Sequence, residues 1–171
     1  MNNKKWYTKS EMIVALSALL ISVVTATIGV YSAYIDRAYA RASVWPRLEI
    51  FRSHGKDWFE YGVTNNGTGP ALIKYAKVEF NSKIIHYWRD IPEMKNIRQS
   101  HLGNRILPSQ ATIKPVESKE KNILKIIEID GSVNIAICYC SIYEECWITD
   151  RNNQPKSIAN CEINTNDKFL Q

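Results

Sequence analysis

The chain has 171 residues, of which 45% are hydrophobic and 23% are charged. These proportions are typical of a globular protein, and the length suits one domain with a small appendage. The net charge is +5, but the part after residue 40 holds 18 Lys and Arg against 15 Asp and Glu. That part shows no basic block and no interleaving of basic and aromatic residues, which argues against nucleic-acid binding.

Residues 12–35 contain no charged side chain and predict a membrane-spanning helix. At about 1.5 Å per residue they reach ~36 Å, which exceeds the ~30 Å of bilayer hydrocarbon. A cleaved signal peptide is the alternative, because Ala38-Tyr39-Ala40 has the form of a cleavage site. The apolar run is longer than the usual ~7–15 residues of such peptides, which favours an uncleaved anchor. We expect a tail at 1–11, the helix at 12–35 and a linker at 36–46.

The flanking charges suggest an orientation. Three lysines and the α-amino group precede the predicted span, and Arg37, Arg41 and Arg47 follow it. This difference slightly favours a cytoplasmic N-terminus. We therefore expect the chain to cross a membrane once, with its C-terminal domain on the side away from the cytoplasm. The lipid bilayer is therefore the first expected partner.

Residues 47–163 have the pattern of short strands separated by turns. Phe59, Tyr61 and Val63 alternate along one strand, and residues 132–141 alternate in the same way. Residues 119–127 predict a short helix, and residues 86–99 show no periodicity. Strands do not alternate with helices in the parallel α/β manner. We predict a mainly β fold, an immunoglobulin-like β-sandwich with one or two short helices, followed by a flexible tail at 164–171.

Four cysteines lie near the C-terminus, at Cys138, Cys140, Cys146 and Cys161. An even number in an exported domain predicts two disulfides. Cys138 and Cys140 flank Tyr139 on one face of a strand, so they should not pair with each other. The spacing does not choose among the other pairings. Buried thiols or a zinc site are alternatives, but these intervals fit the usual Cys-x2-4-Cys pairs poorly, and we expect no metal or cofactor.

Asn65, Gly67, Gly69 and Pro70 lie in a stretch that could be either a phosphate loop or a structural turn. A phosphate loop leads directly into a helix, whose N–H groups meet the anion. The residues that follow here, 71–80, have the pattern of a strand instead. We therefore predict a structural turn, in which the two glycines adopt positive φ angles and Pro70 fixes the exit of the chain.

Tryptophans provide the candidates for core and contact residues. We expect Trp58 or Trp147 to fill the core, and Trp45 to lie at the membrane interface just after the span. Trp88 lies in the segment without periodicity, and we predict that it is exposed and contacts a partner. The chain has no nucleophile elbow and no His-Glu-x-x-His pattern, so we predict that it is not an enzyme.

Several of these residues resemble the motifs of CARDB-like domains, which are immunoglobulin-like adhesion modules. Val63, Asn65 and Gly67 match their first element, Pro70-Ala71 the second, and Leu107-Pro108-Ser109 the turn that ends in glycine in that family. Ser109 replaces the glycine, and the spacing is one residue short. The resemblance covers about residues 48–116 and implies the sandwich fold. The layout as a whole, with Ala-Ser-Val-Trp-Pro just after the predicted anchor and Cys-Tyr-Cys-Ser near the end, also resembles uncharacterised bacterial single-pass membrane proteins. This resemblance implies the inner membrane of a bacterium, with the C-terminal domain in the periplasm or outside the cell, and it indicates no particular activity.

The predicted function is a non-enzymatic, membrane-anchored module that binds a protein partner or a ligand in the bacterial envelope. The alternative is an accessory subunit of a membrane complex that is recognised through its transmembrane helix. Small residues recur there at steps of three or four, at Ala15, Ala18, Ser22, Ala26 and Gly29. A hydrolase on a β scaffold is less favoured. Association of the chain with itself is compatible with either function.

Overall fold

The computed structural model describes residues 10–95, 97–119 and 123–171. It divides into two units, of which the first ends at Ala42 and the second runs from Ser43 to Gln171. The second unit is called the body below. The predicted tail at 1–11 lies almost entirely outside the described residues.

The described part of the first unit is helical, because α1 runs over Ser10–Ser43 and only its last residue belongs to the body. The helix is long and apolar enough to cross a membrane, with a mean hydropathy of 2.4 over 18 residues, and none of its residues is buried. The hydroxyls of Ser22 and Thr25 donate to carbonyls four residues earlier, both at 2.8 Å, which satisfies these polar groups within the helix. The first eight residues of the predicted linker, 36–43, are helical instead, because α1 continues to Ser43. Alanines favour helix there, and the first proline comes only at Pro46.

The body consists of two antiparallel sheets. Sheet A has the strand order β1-β2-β7-β5, and sheet B has the order β10-β9-β8-β3-β4, with β6 also paired to β3. A short helix, α2, runs over Ile123–Ile129 and precedes β8. The strands are β1 Leu48–His54, β2 Phe59–Asn65, β3 Ala71–Phe80, β4 Lys83–Ile85, β5 Arg98–Gln99, β6 Arg105–Leu107, β7 Thr112–Ser118, β8 Val133–Cys140, β9 Cys146–Asp150 and β10 Lys156–Ile158.

Alternation along the strands explains how the sheets form their core. On β8, Val133, Ile135 and Ile137 are buried while Asn134 is exposed, as a period of two requires. Buried apolar side chains from both sheets, among them Val63 on β2 and Ile137 on β8, belong to one hydrophobic cluster. The prediction of an N-terminal apolar helix followed by a mainly β domain is therefore confirmed.

An aromatic stack lies in this core and includes Trp88, which is fully buried rather than exposed as predicted. Its ring stacks on Tyr61 at a centroid distance of 5.6 Å and meets Phe169 edge-on at 5.0 Å. Trp88 begins a turn at Trp88–Asp90, which Asp90 stabilises because its Oδ2 accepts the N–H groups of His86 at 3.0 Å and Tyr87 at 2.9 Å. Trp88 is therefore not available as a partner contact.

The C-terminal segment, predicted as a flexible tail at 164–171, packs into the body. Phe169 is 1% exposed, and its N–H donates to the Ala76 carbonyl at 2.9 Å. The next residue, Leu170, donates its N–H to the His86 carbonyl at 2.9 Å. The segment thus contributes one large side chain to the core and two backbone hydrogen bonds to its neighbours.

A side chain from sheet B binds the outer edge of sheet A. Asn153 lies in the β9–β10 turn with a φ of 57°. Its Oδ1 accepts the Ile50 N–H at 2.7 Å, and its Nδ2 donates to the Ile50 carbonyl at 2.9 Å. Because β1 is the edge strand of sheet A, this amide occupies the backbone position that a neighbouring strand would take.

Candidate functional site

The chain passes from α1 to β1 through four residues, 44–47, which we call the junction segment. The loop at residues 65–69, which we call the clasp, binds the backbone of this segment. Thr68 N–H donates to the Trp45 carbonyl at 2.9 Å, and Asn66 N–H donates to the Arg47 carbonyl at 2.8 Å. The stretch that raised the question of a phosphate loop therefore binds the protein's own chain.

Asn65 organises the clasp from a fully buried position. Its Oδ1 accepts the N–H groups of Arg47 at 3.1 Å and Gly67 at 3.0 Å. Its Nδ2 donates to the carbonyls of Gly69 at 2.8 Å and Leu107 at 3.1 Å. Only an amide offers both an acceptor and two donors in this space, which explains the asparagine.

The glycines of the clasp serve a different purpose from the one predicted. No glycine has a positive φ in the described part of the chain. A Cβ on Gly67 would instead collide with the Trp45 carbonyl oxygen, and a Cβ on Gly69 would collide with the Val44 backbone. Glycine is required because two backbones approach each other closely, which is a contact between distant parts of the sequence.

A second loop, which contains Ser109 and Gln110, forms hydrogen bonds with the clasp. Ser109 Oγ donates to the Gly67 carbonyl at 2.6 Å, and Gln110 N–H donates to the Asn65 carbonyl at 2.9 Å. Gln110 has the left-handed φ of 59°, so the position that favours glycine is one residue after Ser109.

A phosphate would find no available donors in the clasp. The N–H groups of Asn66, Thr68 and Gly69 donate to junction-segment carbonyls, and that of Gly67 donates to Asn65 Oδ1. The residues that follow form β3, as the structural-turn interpretation requires. The loop thus positions the start of the body and has no spare groups for an anion.

Exposed apolar side chains lie at the end of the body where the junction segment enters. Trp45 is 54% exposed and stacks on Trp147 at 5.5 Å, while Trp147 is buried, as predicted for Trp58 or Trp147. Ile142 and Tyr143 occupy the turn between β8 and β9, just before Trp147, and are 50% and 45% exposed. We call Trp45, Ile142 and Tyr143 the junction face. The remaining candidate, Trp58, is 39% exposed.

The four cysteines form one cluster on the outer side of sheet B. Cys138 is bonded to Cys161, and Cys140 is bonded to Cys146, which lies directly opposite it on β9. Cys138 and Cys140 are not bonded to each other, in agreement with the strand geometry. The sulfurs of Cys140, Cys146 and Cys161 lie within 4.8 Å of one another. In this state they are bonded to sulfur and are not thiolate ligands for a metal.

A buried charge cluster was not apparent from the sequence. The Asp130 carboxylate, 4% exposed, accepts hydrogen bonds from Tyr61 Oη at 2.6 Å, from Arg151 Nη2 at 2.8 Å and 2.9 Å, and from Arg52. Arg151 Nη1 also donates to the Val133 carbonyl at 2.6 Å. Burial raises the pKa of Asp130, but the Tyr61 and Arg151 hydrogen bonds and the arginine charges outweigh it, so the pKa lies below its usual value. Burial raises the pKa of Tyr61, which keeps its hydroxyl a donor.

Asp130→Asn is expected to destabilise the body by about 2–4 kcal/mol at pH 7, because it leaves two arginines without their carboxylate. A carboxyl with a lowered folded pKa stabilises the fold above its unfolded pKa of 3.8, and this contribution is lost as the pH falls through the folded pKa. The difference between wild type and variant should therefore shrink below about pH 4. Urea unfolding of the full chain in detergent, followed by tryptophan fluorescence from pH 2 to 7, measures it.

The exposed Asp57 provides the matched control for this charge change. Asp57→Asn should change the free energy of unfolding by no more than about 0.5 kcal/mol at any pH. Equal effects of the two substitutions, or a difference at Asp130 that persists unchanged in acid, would contradict the structural role of the cluster.

An open cleft with a basic lining lies beside the C-terminal segment. It has a volume of about 730 Å³, and its lining includes His101, Arg105 and Lys168 but no acidic side chain. Arg105 Nη1 donates to the His101 carbonyl at 2.8 Å, and the Lys168 ammonium contacts the Asn104 side chain. The cleft could accept an acidic group of a partner.

The chain matches no known family model, and no curated protein matches it.

Proposed function

We propose that this protein is a non-enzymatic module with an immunoglobulin-like β-sandwich, anchored in the inner membrane of a bacterium, that binds another membrane protein in the envelope. The junction is the observation that carries this proposal. The body begins directly after α1, and the clasp binds the four residues that precede β1. A tethering linker in the usual sense, rich in Gly or Ser and without contacts, is absent from this described stretch.

The junction segment is short, so it limits the volume in which the body can meet a partner. With residues 12–35 in the hydrocarbon, the helical residues 36–43 extend about 12 Å beyond it, at ~1.5 Å per residue. The body is then confined to a thin layer beside the bilayer. Partners held in the same layer meet it at high effective concentration, so weak contacts are sufficient for binding.

The junction face is the surface that suits such a partner. Trp45, Ile142 and Tyr143 offer exposed apolar and aromatic area, the type of side chain that is enriched at binding hot spots. Glu144 and Glu145 follow in the same turn and would lie at the polar rim of such a contact. This surface takes the contact role that the sequence had suggested for Trp88.

The proposed location places the body outside the cytoplasm and the N-terminus inside it. Two features support this orientation. Three lysines precede the apolar segment, which slightly favours a cytoplasmic N-terminus. All four cysteines are bonded in pairs, and structural disulfides persist in oxidising compartments.

Site-specific photocrosslinking in native membranes tests the proposed contact. A photoreactive amino acid at Ile142 should give a discrete adduct with another membrane protein. The control position is Leu124, a residue of α2 that is 74% exposed. It comes before the first residue of β8, whereas Ile142 comes after the last. Adducts to lipid alone, the same adducts from both positions, or no protein adduct from Ile142 would contradict the proposal.

An accessory subunit recognised through α1 is the second candidate. The small residues Ala15, Ala18, Ser22, Ala26 and Gly29 recur at steps of three or four, and a Cβ on Gly29 would meet no atom within 4 Å. Such residues allow a second helix to approach closely. If a partner recognises α1, replacing residues 12–35 by polyleucine should abolish partner capture. If the junction face is the contact, the same replacement should preserve the Ile142 adduct.

A further inference from the structure

We propose that the cysteine cluster is a thiol–disulfide exchange site for a dithiol, in which reduction of either disulfide leads to the same new bond, Cys140–Cys161. This exchange is covalent chemistry within the body and does not depend on the proposed partner. One sulfur–sulfur contact is the point of exchange between the two native bonds.

The geometry of the cluster carries the proposal. Cys140 Sγ and Cys161 Sγ belong to different disulfides and lie 3.7 Å apart. A thiolate released on either residue is therefore already in contact with a sulfur of the other disulfide. Exchange proceeds by attack of a thiolate on a disulfide sulfur, so this contact brings the attacking and attacked atoms together without unfolding.

Exposure indicates where an external dithiol enters. Cys138, Cys140 and Cys146 are 0%, 4% and 7% exposed, whereas Cys161 is partly exposed in the segment after β10. An incoming thiolate therefore attacks Cys161 Sγ, and Cys138 leaves as a thiolate. The second thiol of the reagent then attacks the mixed disulfide, and the reagent departs as a cyclic disulfide while Cys161 becomes a thiolate.

The internal step follows from the 3.7 Å contact. The Cys161 thiolate attacks Cys140 Sγ, the Cys140–Cys146 bond breaks, and Cys146 leaves as a thiolate. Two electrons and two protons have then passed from the dithiol to the protein, where they reside on Cys138 and Cys146 as thiols. One protein disulfide remains, now between Cys140 and Cys161.

The alternative entry gives the same product. If the dithiol first reduces the Cys140–Cys146 bond, the Cys140 thiolate attacks Cys161 Sγ and expels Cys138. Both routes converge because both pass through the one contact between the disulfides. The product keeps the segment after β10 bonded to β8, so Phe169 stays tethered to the body during exchange.

Partial reduction of the full chain in detergent tests this convergence. The protein receives one equivalent of dithiothreitol, is quenched with acid, and is alkylated with a maleimide in denaturant. Peptide fragmentation then locates the labels. Molecules with two labels should carry them on Cys138 and Cys146, together with a Cys140–Cys161 linked pair. Labels mainly on Cys138 and Cys161, or on Cys140 and Cys146, would overturn the proposal.

A variant and a time course separate exchange from simple reduction. In Cys161→Ser the contact is lost, and reduction should label Cys140 and Cys146 in addition to the unpaired Cys138. The wild-type time course applies even if this variant does not fold. Labels should move with time from a native pair to Cys138 and Cys146, whereas labels that stay on a native pair at every time would show that no exchange takes place.

Discussion

Asn65→Asp is expected to lower the free energy of unfolding of the body by about 3–5 kcal/mol. The substitution removes the Nδ2 group, so the carbonyls of Gly69 and Leu107 lose a buried donor. It also places a carboxylate at a fully buried position. Urea unfolding of the full chain in detergent, followed by tryptophan fluorescence, measures the loss.

The neighbouring asparagine is the matched control. Asn66 is exposed, and its Nδ2 donates to Glu49 Oε2 at 2.6 Å at the surface. Asn66→Asp makes the same chemical change one residue away and should cost less than about 1 kcal/mol, because both groups remain hydrated. A similar effect of the two substitutions would show that Asn65 does not organise the clasp.

Phe169→Ala is expected to destabilise the body by about 3–5 kcal/mol, because it leaves a cavity next to Trp88 and removes an edge-on aromatic contact. Thermal or urea unfolding of the variant measures the loss. A segment that was frayed in solution would show no such effect, so the experiment also tests the packing of the last residues.

Leu170 provides the comparison for this substitution. Its side chain is 49% exposed, and its backbone N–H donates to the His86 carbonyl. Leu170→Ala should therefore change the free energy of unfolding by less than about 1 kcal/mol. An equal loss from Leu170→Ala would contradict the specific role of the Phe169 ring.

The sequence predicted the elements whose signals are local. The uncharged run at 12–35 and the alternation on β2 and β8 predicted the apolar helix and the strands, because these patterns depend only on adjacent turns of the chain. The position of Cys138 and Cys140 on one strand face argued against a bond between them. The pairing itself depends on where Cys161 returns to the sheet, which no spacing shows.

Contacts between distant parts of the chain were not predictable in this way. The sequence predicted that the clasp requires its two glycines. The structural reason is the close approach of residues 44–47, which lie about twenty residues earlier in the chain. Arg52 and Asp130 are 78 residues apart, so nothing in the sequence connects them. Trp88 and Phe169 lie in segments without periodicity, where burial is decided by a turn and by packing.

The amide of Asn153 has a consequence for how copies of the body meet one another. An uncovered edge strand offers its backbone to another molecule, and sheets that extend in this way give aggregates. Because Asn153 already occupies both polar groups of Ile50, a second molecule cannot extend sheet A through this position of β1 without first displacing the amide. Copies of this protein that meet at high local concentration are thereby hindered from joining edge to edge through this strand.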